Sequence, residues 1–452
     1  MKRLTVLVIL FCSISYMAAQ SPPDSDARMY DIIQSTSAQR IEKDIRKLVS
    51  FGTRHTLSDT VSTTRGIGAA RRWIKSEMDA ISSDCGGCLE VSFHKGLIKE
   101  GESRRIPTDT WIVNVMAIKR GKKFPDSYVI MSGDIDCRVS DPLDAESENP
   151  GANDNATGMA GVLEAARVLS KYDFDHSIIF LGLSGEEQGL FGGKLLAADA
   201  KKDEWNIIGI LNNDMIGNIH GIDGVVDNST FRVFSEPTPP NANEQQQIWS
   251  RFYGGEVDGP SRQLARYVER MTSTYLPHLN AKMIYRLDRF GRGGHHRPFN
   301  DEGFPGVRIM ETHENYNRQH QDLRTGEGVE YGDVIEGVDF EYAAAVTGVN
   351  AIVLAGLAWA PDAPSIVQIG GAVKPSTRLI WEPSSSENLA GYKIYWRDTT
   401  APQWDHSRWV GKVTDFTLEN IIIDNYLFGV TAVSKDGNES LVQYPKTLIP
   451  RR

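Results

Sequence analysis

Four apolar runs in this chain are each followed by acidic or histidine side chains. The pairs are residues 128–131 with Asp134, residues 177–183 with Glu186 and Glu187, residues 207–211 with Asp214, and residues 307–310 with His320. Short apolar runs are typical of buried strands, and functional groups in open α/β sheets collect beyond the carboxyl ends of the strands. The pattern therefore predicts an α/β sheet with one edge rich in carboxylates.

These side chains have the chemistry of a metal site. Asp, Glu and His are ligands that proteins use for zinc and similar cations. Asp154 adds a further carboxylate, in the sequence GANDNATG between the first two runs, at the start of a helical pattern. The alternative is a set of unrelated acidic loops that face solvent. We favour one metal site because residue type and position agree at all four runs.

The adjacent Glu186 and Glu187 can have different roles. Neighbouring side chains of a loop point in different directions, so one carboxylate can bind a metal while the other acts as a general base on water. Taken alone, the pair is explained equally well as a solvated acidic loop before a helix, where Glu is favoured. The other acidic segments favour the catalytic interpretation.

Helical spacing of apolar residues predicts amphipathic helices over residues 41–49, 67–81 and 157–172, with Ser37 as a suitable N-cap for the first. Strands that alternate with helices predict an α/β layered domain. Residues 218–262, rich in Pro, Gln and Asn, break this rhythm. They predict an insertion or extended loop, which is either a wall of a substrate cleft or a surface excursion without a role.

The last part of the chain has a different pattern. After Trp359 and two prolines, helical periodicity stops and short strands follow one another, with a turn signal at Asp436-Gly437. This predicts a β-sandwich over residues 362–452. Its order and its residues, including Trp381 and Tyr392, resemble a fibronectin type III module. Such a module can pack on the rest of the chain, act as a spacer or bind an unknown partner.

Composition and the N-terminus restrict partners and location. The net charge of −10 argues against nucleic acid and anionic membrane surfaces as partners. Lys2 and Arg3, an apolar stretch over residues 4–14 and the small residues Ala18-Ala19 predict a signal peptide over residues 1–20. The protein is therefore expected in the periplasm or the medium. No later segment is expected to reach the roughly 20 apolar residues that a membrane anchor needs.

Cys85-Gly-Gly-Cys88 is the only close pair of cysteines. A disulfide in an oxidising compartment and two free thiols are both compatible with this spacing. A zinc knuckle is disfavoured because further Cys or His ligands are lacking nearby.

The motifs SGDIDC, GANDNATG, SGEEQGLFG, NNDMIG and ENYNRQHQD together resemble the co-catalytic zinc aminopeptidase family. That family includes secreted bacterial leucyl aminopeptidases and glutamate carboxypeptidases. The resemblance covers about residues 28–358. It implies a three-layer α/β fold with a mixed central sheet flanked by helices, a peptide substrate and two divalent metals, with zinc expected.

The resemblance also implies a role for each site residue. Asp154 would bridge the two metals, Glu187 and His320 would complete one shell, Asp134 and Asp214 would complete the other, and Glu186 would be the general base. The peptide after the bridging aspartate is commonly cis in this family, so a cis bond is predicted between Asp154 and Asn155.

Two positions depart from the family pattern. Where the family reads His-x-Asp, this chain reads Asp134-Ile135-Asp136, so an imidazole is lost and Asp136 loses the N–H that it would have accepted. Oxygen-rich shells suit harder cations, which predicts weaker zinc binding there and acceptance of manganese or calcium. A histidine, His295, stands where the family often has Asp. We hypothesise that His295 lies near Asp134; the alternative is two unrelated substitutions.

The predicted activity is that of a secreted metal-dependent exopeptidase, with an aminopeptidase favoured. A carboxypeptidase or another amide hydrolase on the same fold is a second interpretation. A binding protein on an inactive peptidase fold is a third, motivated by the lost histidine. Tyr316 lies close to His320 in sequence and is a candidate for substrate contact, as is Tyr285 for stabilising an oxyanion.

Overall fold

The computed structural model describes residues 21–255 and 257–450. The predicted signal peptide over residues 1–20 therefore lies outside the described residues. Within the described residues the helices are α1 Ala27–Ser35, α2 Ala38–Val49, α3 Gly66–Asp84, α4 Gly158–Leu169, α5 Phe191–Lys202, α6 Glu244–Tyr253, α7 Pro260–Tyr275, α8 His296–Asp301 and α9 Phe340–Trp359.

The strands fall into a large sheet and three small ones. The large sheet contains β1 Glu90–Ile98, β2 Thr110–Lys119, β3 Phe124–Asp134, β4 His176–Leu183, β5 Asn206–Asn213, β6 Thr230–Phe234, β7 Asn280–Ile284 and β8 Gly306–Glu311. The small sheets contain β9 Arg324–Gly326, β10 Val329–Tyr331, β11 Ser365–Gly370, β12 Ser376–Glu382, β13 Leu389–Asp398, β14 His406–Gly411, β15 Asp415–Glu419, β16 Tyr426–Ser434 and β17 Thr447–Leu448.

The large sheet is mixed and lies between two layers of helices. Its strand order is β1-β2-β4-β3-β5-β8-β6-β7. The four central strands β4, β3, β5 and β8 are parallel, while β2 pairs with β4 and β6 pairs with β8 in antiparallel fashion. Apolar residues of α1, α2, α3, α4, α7 and α9 fill one face, and those of α5 and α8 fill the other. This confirms the predicted three-layer α/β fold.

Two predictions about elements have different outcomes. The three predicted helices are present as α2, α3 and α4, and the Ser37 side chain accepts the Arg40 N–H at the start of α2, as expected of an N-cap. The prediction of an extended loop over residues 218–262 is wrong. This segment contains β6 and α6, and β6 lies inside the large sheet between β8 and β7.

Contrary to expectation, one later segment has the length and composition to cross a membrane. It is α9, Phe340–Trp359, and 94% of its most apolar window is buried inside the protein. It packs with α1, α2, α4 and α7 in the main hydrophobic core. A core helix that is apolar all round has no exposed polar face, so the sequence of α9 is accounted for by burial.

The C-terminal strands form two sheets, with the orders β15-β12-β11-β17 and β14-β13-β16. One hydrophobic cluster joins them, centred on Trp381, Tyr392, Ile394 and Val430. Two antiparallel-rich sheets around a shared core match the predicted β-sandwich. The likeness to fibronectin type III stays a prediction.

This sandwich packs against the rest of the chain through buried charges. Asp258, 1% exposed, accepts two hydrogen bonds of 2.9 and 3.0 Å from Arg397 of β13 and also pairs with Arg266 of α7. Nearby, Arg270 of α7 lies 2.7 Å from Glu439, which follows β16. These contacts agree with the packing alternative for the C-terminal part.

Candidate metal centre

The carboxyl ends of the parallel strands bring the predicted acidic groups to one edge of the sheet. Asp134 is the last residue of β3, Glu186 and Glu187 lie just after β4, and Asp214 lies just after β5. The register aligns Asp134 with Leu183 of β4, so the end of β3 lies beside the start of the Glu186 loop. Residues 27 to 80 positions apart in sequence are thus brought to one edge of the sheet.

Three of the predicted ligands converge. His320 Nε2 lies 3.0 Å from Asp154 Oδ2 and 2.9 Å from Glu187 Oε1. One ligand atom from each residue fits within a group whose members are all within 4.8 Å of one another. Asp, Glu and His are a donor set that zinc accepts in catalytic sites, where three protein ligands leave a position open.

Electrostatics agree with a cation at this point. Burial lowers the pKa of His320, but the neighbouring carboxylates of Glu187 and Asp154 outweigh this effect and raise the pKa to about 9. Arg138 Nη2 lies 2.6 Å from His320 Nδ1 and its Nε lies 2.8 Å from Glu187 Oε2. His320 Nε2 faces both carboxylates, so they stabilise a proton there, and a metal ion held by the three residues would take the place of that proton.

A separate carboxylate holds the turn that carries Asp154. Asp333 accepts the N–H of Asn153 at 2.9 and 3.0 Å and the N–H of Asp154 at 2.7 Å. The peptide between Asp154 and Asn155 is cis, as predicted. Asp333 is 4% exposed, and burial raises its pKa to about 7.

Asp136 fixes the loop of the two glutamates. It accepts hydrogen bonds from the N–H of Glu186 at 3.2 Å, from the N–H of Glu187 at 3.1 Å and from the Thr56 hydroxyl at 2.8 Å. Asp136 has thus replaced the lost imidazole partner with backbone N–H groups. The side chain of Glu186 accepts no hydrogen bond from any residue in the described part of the chain, and burial together with Glu187 raises its pKa well above the usual value.

The hypothesis on His295 is confirmed as to position. His295 Nδ1 lies 2.5 Å from Asp134 Oδ1, and Asn155 Nδ2 donates to Asp134 Oδ2 at 2.8 Å. Burial and the charge of Asp136 raise the pKa of Asp134 well above its usual value. Both oxygens of Asp134 are therefore engaged by protein side chains.

Asp214 does not join the group of three ligands. Its Oδ2 lies 2.6 Å from Arg308 Nη2, and Arg308 is fully buried in β8. Burial raises the pKa of Asp214 to about 7, although the charge of Arg308 lowers it. Among the described residues, only Asp154, Glu187 and His320 form a group that could hold a metal. The predicted count of two metals is thus not confirmed.

The sequence analysis missed Arg138, Arg308 and Asp333. A signal existed for Arg308, because it is a charged residue between the apolar residues Val307 and Ile309 of β8. Arg138 and Asp333 lie in loops that have no pattern pointing to the site. Of the two tyrosines predicted to contact substrate, Tyr316 is 55% exposed. The hydroxyl of the other, Tyr285, already donates a hydrogen bond to the carbonyl of Pro402.

Comparisons with known proteins agree with this fold and centre. The sequence profile of peptidase family M28 matches residues 114–327. A probable zinc metalloprotease of Pyrenophora tritici-repentis is 42% identical over 427 residues, which cover 94% of this chain and 87% of that protein. A probable zinc metalloprotease of Leptosphaeria maculans is 42% identical over 424 residues, which cover 94% of this chain and 98% of that protein.

Solved structures share the fold at lower identity. The Legionella pneumophila LapA aminopeptidase has a TM-score of 0.53 and 17% identity, over 74% of this chain and 77% of that chain. LapB of the same organism has a TM-score of 0.53 and 17% identity, over 74% and 76%.

The mixed sheet and the carboxylate–histidine centre together define a metallopeptidase. Relatives at 42% identity extend that likeness over nearly the whole chain. The chain belongs to peptidase family M28. The names of these relatives imply zinc as the metal.

Proposed function

We propose that the protein is a secreted zinc-dependent exopeptidase that removes N-terminal residues from peptides. The observation that carries the proposal is the group of Asp154, Glu187 and His320 with the side chain of Glu186 free beside it. Membership of peptidase family M28 supports cleavage of a peptide bond. The aminopeptidase direction is the interpretation that the sequence motifs favour.

The chemistry divides between the metal and Glu186. Zinc held by Asp154, Glu187 and His320 would polarise the scissile carbonyl and acidify water. Glu186 takes a proton from the attacking water while the water oxygen forms a bond to the carbonyl carbon. When the C–N bond breaks, Glu186 gives that proton to the leaving amine. A raised pKa makes the Glu186 carboxylate a stronger base, which suits a group that takes a proton from water and then returns it.

Export is supported by two features. The sequence carries a signal-peptide pattern before residue 21, and Cys85 and Cys88 form a disulfide in the structure. Disulfides persist mainly in oxidising compartments. Mass spectrometry of culture medium and cell lysate, with the N-terminal residue of the mature chain identified, tests this part of the proposal; an intact N-terminus retained in the lysate contradicts it.

A carboxypeptidase is the second candidate, because of a specific feature of the site. Arg289 and Arg292 lie on the Asp154 side of the site. Burial raises the pKa of Asp154, and His320 together with these two arginines lowers it. Arg289 is paired with Glu314, but Arg292 is exposed and makes no ion pair within the described residues. An exposed guanidinium near the metal centre could bind a substrate carboxylate.

Peptides blocked at either end separate these functions. One pentapeptide is prepared free, N-acetylated, C-amidated and blocked at both ends, and amino-acid release is followed with zinc and with chelator. An aminopeptidase cleaves the free and amidated forms only, and a carboxypeptidase cleaves the free and acetylated forms only. If none of the four peptides is cleaved while zinc is bound, the result contradicts the proposal and favours a binding protein.

The role of Glu186 is tested by substitution. Glu186→Gln removes the base while keeping the shape, so kcat should fall about 100-fold or more while zinc remains bound. The matched control is Glu341→Gln, an exposed glutamate in the first turn of α9, which should leave kcat unchanged. Equal activity of Glu186→Gln and the unaltered protein would exclude Glu186 as the base.

A further inference from the structure

Two carboxylates that the family resemblance assigns to a second metal are already bound by protein cations or donors. Asp134 is held by His295 at 2.5 Å and by Asn155 at 2.8 Å, and Asp214 lies 2.6 Å from Arg308. Neither carboxylate belongs to the one group of described residues that could hold a metal. The residues present at this position therefore do not fit a second metal ion.

Arg308 is the main obstacle. Its guanidinium is fully buried, and its Nη1 donates to both oxygens of Asp288 at 3.0 Å and to the carbonyl of Gly293 at 2.6 Å. These bonds anchor the side chain so that Nη2 faces Asp214. A guanidinium keeps its charge at any pH a folded protein tolerates. A metal ion bound to Asp214 would therefore meet a fixed positive charge.

The strand register explains why this charge cannot easily leave. Arg308 stands opposite Asn212 in the pairing of β5 with β8, two residues before Asp214. Because side chains of the sheet are fixed by register, the guanidinium reaches the end of β5 from within the sheet. Turning it away would also remove the two hydrogen bonds that buried Asp288 accepts from Arg308.

His295 acts on the other carboxylate. It is fully buried, and its ring lies against Gly193, where an added Cβ would come within 2.8 Å of His295 Cδ2. The close packing fixes the ring so that Nδ1 faces Asp134. The imidazole that the family places as a ligand is thus replaced here by an imidazole that binds the carboxylate.

We infer that this protein binds a single metal ion, at Asp154, Glu187 and His320, and that Arg308 and His295 occupy the second metal position in place of an ion. Arg308 and His295 are positioning residues, since they act through Asp214 and Asp134. The inference rests on the metal position of the proposed function, but it does not depend on which peptide is cleaved.

Metal stoichiometry tests the inference directly. The intact protein is stripped of metal, incubated with excess zinc or manganese, passed through gel filtration and measured by elemental mass spectrometry, with native mass spectrometry as a second readout. We expect one equivalent per chain, and none for His320→Ala. Two equivalents in the unaltered protein would overturn the inference while leaving the proposed function intact.

Substitutions test whether Arg308 and His295 are the reason why a second metal ion does not bind. Asp134→His with His295→Asp restores the family pattern, and Arg308→Met added to this pair removes the fixed charge. We expect the triple variant to bind a second equivalent at least 10-fold more tightly than the unaltered protein does. The control is Arg262→Met, a buried arginine of α7 outside the centre, which should still bind one equivalent.

Each of the remaining outcomes also tests the inference or the proposed function. A single equivalent in a triple variant that is folded by circular dichroism would exclude Arg308 and His295 as the cause. If the triple variant does not fold, the same variant with Asp288→Asn added, which removes the buried carboxylate that Arg308 pairs with, decides, and it should bind the second equivalent. No metal in the unaltered protein would overturn both the inference and the metal position of the proposed function. One equivalent without peptide cleavage would overturn only the proposed function.

Discussion

At the scale of single residues, the candidate metal centre depends on Asp333, which is not one of the three residues that could hold the ion. It holds the N–H groups of Asn153 and Asp154 and so sets the direction of the Asp154 carboxylate. Asp333→Asn replaces one acceptor oxygen with an NH₂ group that faces those N–H groups. We expect zinc affinity to fall about 10–100-fold, as measured for partners of metal ligands elsewhere, by competition with a chromogenic chelator.

The matched control is Asp322→Asn. Asp322 is exposed and accepts hydrogen bonds from Ser140 instead of the Asp154 turn. It should leave zinc affinity unchanged. Equal affinities for Asp333→Asn and the unaltered protein would show that the turn keeps its shape without Asp333.

At the scale of elements, β3 and α4 approach so closely that a side chain does not fit between them. A Cβ added to Gly133 of β3 would lie 2.6 Å from the carbonyl carbon of Gly158, the first residue of α4. The carbonyl carbon belongs to the backbone, and the position of a Cβ is fixed by its own backbone, so neither atom can turn away. We expect Gly133→Ala to lower the free energy of unfolding by about 1–3 kcal/mol, measured by guanidinium denaturation.

Because Gly133 precedes Asp134, the same change should also displace the end of β3. The control is Gly348→Ala in α9, where the nearest atom to an added Cβ is Thr36 Oγ1 at 3.9 Å. Alanine in a helix with room for it should leave stability unchanged or raise it by up to about 1 kcal/mol. Equal stabilities of the two variants would contradict the close contact between β3 and α4.

At the scale of the whole molecule, His176 links the large sheet to the junction with the C-terminal sandwich. It starts β4, stacks on Phe124 with ring centres 4.7 Å apart, and its Nε2 lies 3.2 Å from the Ala360 carbonyl. Burial lowers the pKa of His176 to about 4. In the unfolded chain a histidine titrates near pH 6.5.

This difference predicts a pH dependence of stability. Below about pH 6.5 the unfolded chain binds a proton that the folded protein refuses until about pH 4, so stability is lost as the pH falls through this window. His176→Gln keeps a donor for Ala360 but does not titrate. The stability advantage of the unaltered protein over this variant should shrink by up to about 3 kcal/mol between pH 7 and pH 4.

Thermal or denaturant unfolding of both proteins at several pH values measures this difference. The control is His278→Gln, because His278 is exposed on the loop after α7. It makes the same chemical change at a solvent-exposed position. A constant difference for His176→Gln would mean that His176 titrates alike in both states.

The sequence alone determined the layered fold and the three side chains that could hold a metal. Apolar runs and helical spacing are local properties, so they identified β3, β4, β5 and β8 with the groups that follow them. Because the carboxyl ends of parallel strands share one edge, the groups that follow these strands were expected there, and the family resemblance implied Asp154, Glu187 and His320 as ligands. The exchange of His and Asp at positions 134 and 295 left two interpretations open, and the contact between these side chains supports the hypothesis that they lie together.

Tertiary structure alone decided what surrounds those groups. The place of β6 between β8 and β7 depends on pairing between segments about 50 to 80 residues apart, which local patterns do not encode. The register of β5 against β8 brings Arg308 to Asp214 and engages that carboxylate with a side-chain charge. Strand order and register are set by packing of the whole core, and for this reason the second metal position could be read only from the folded chain.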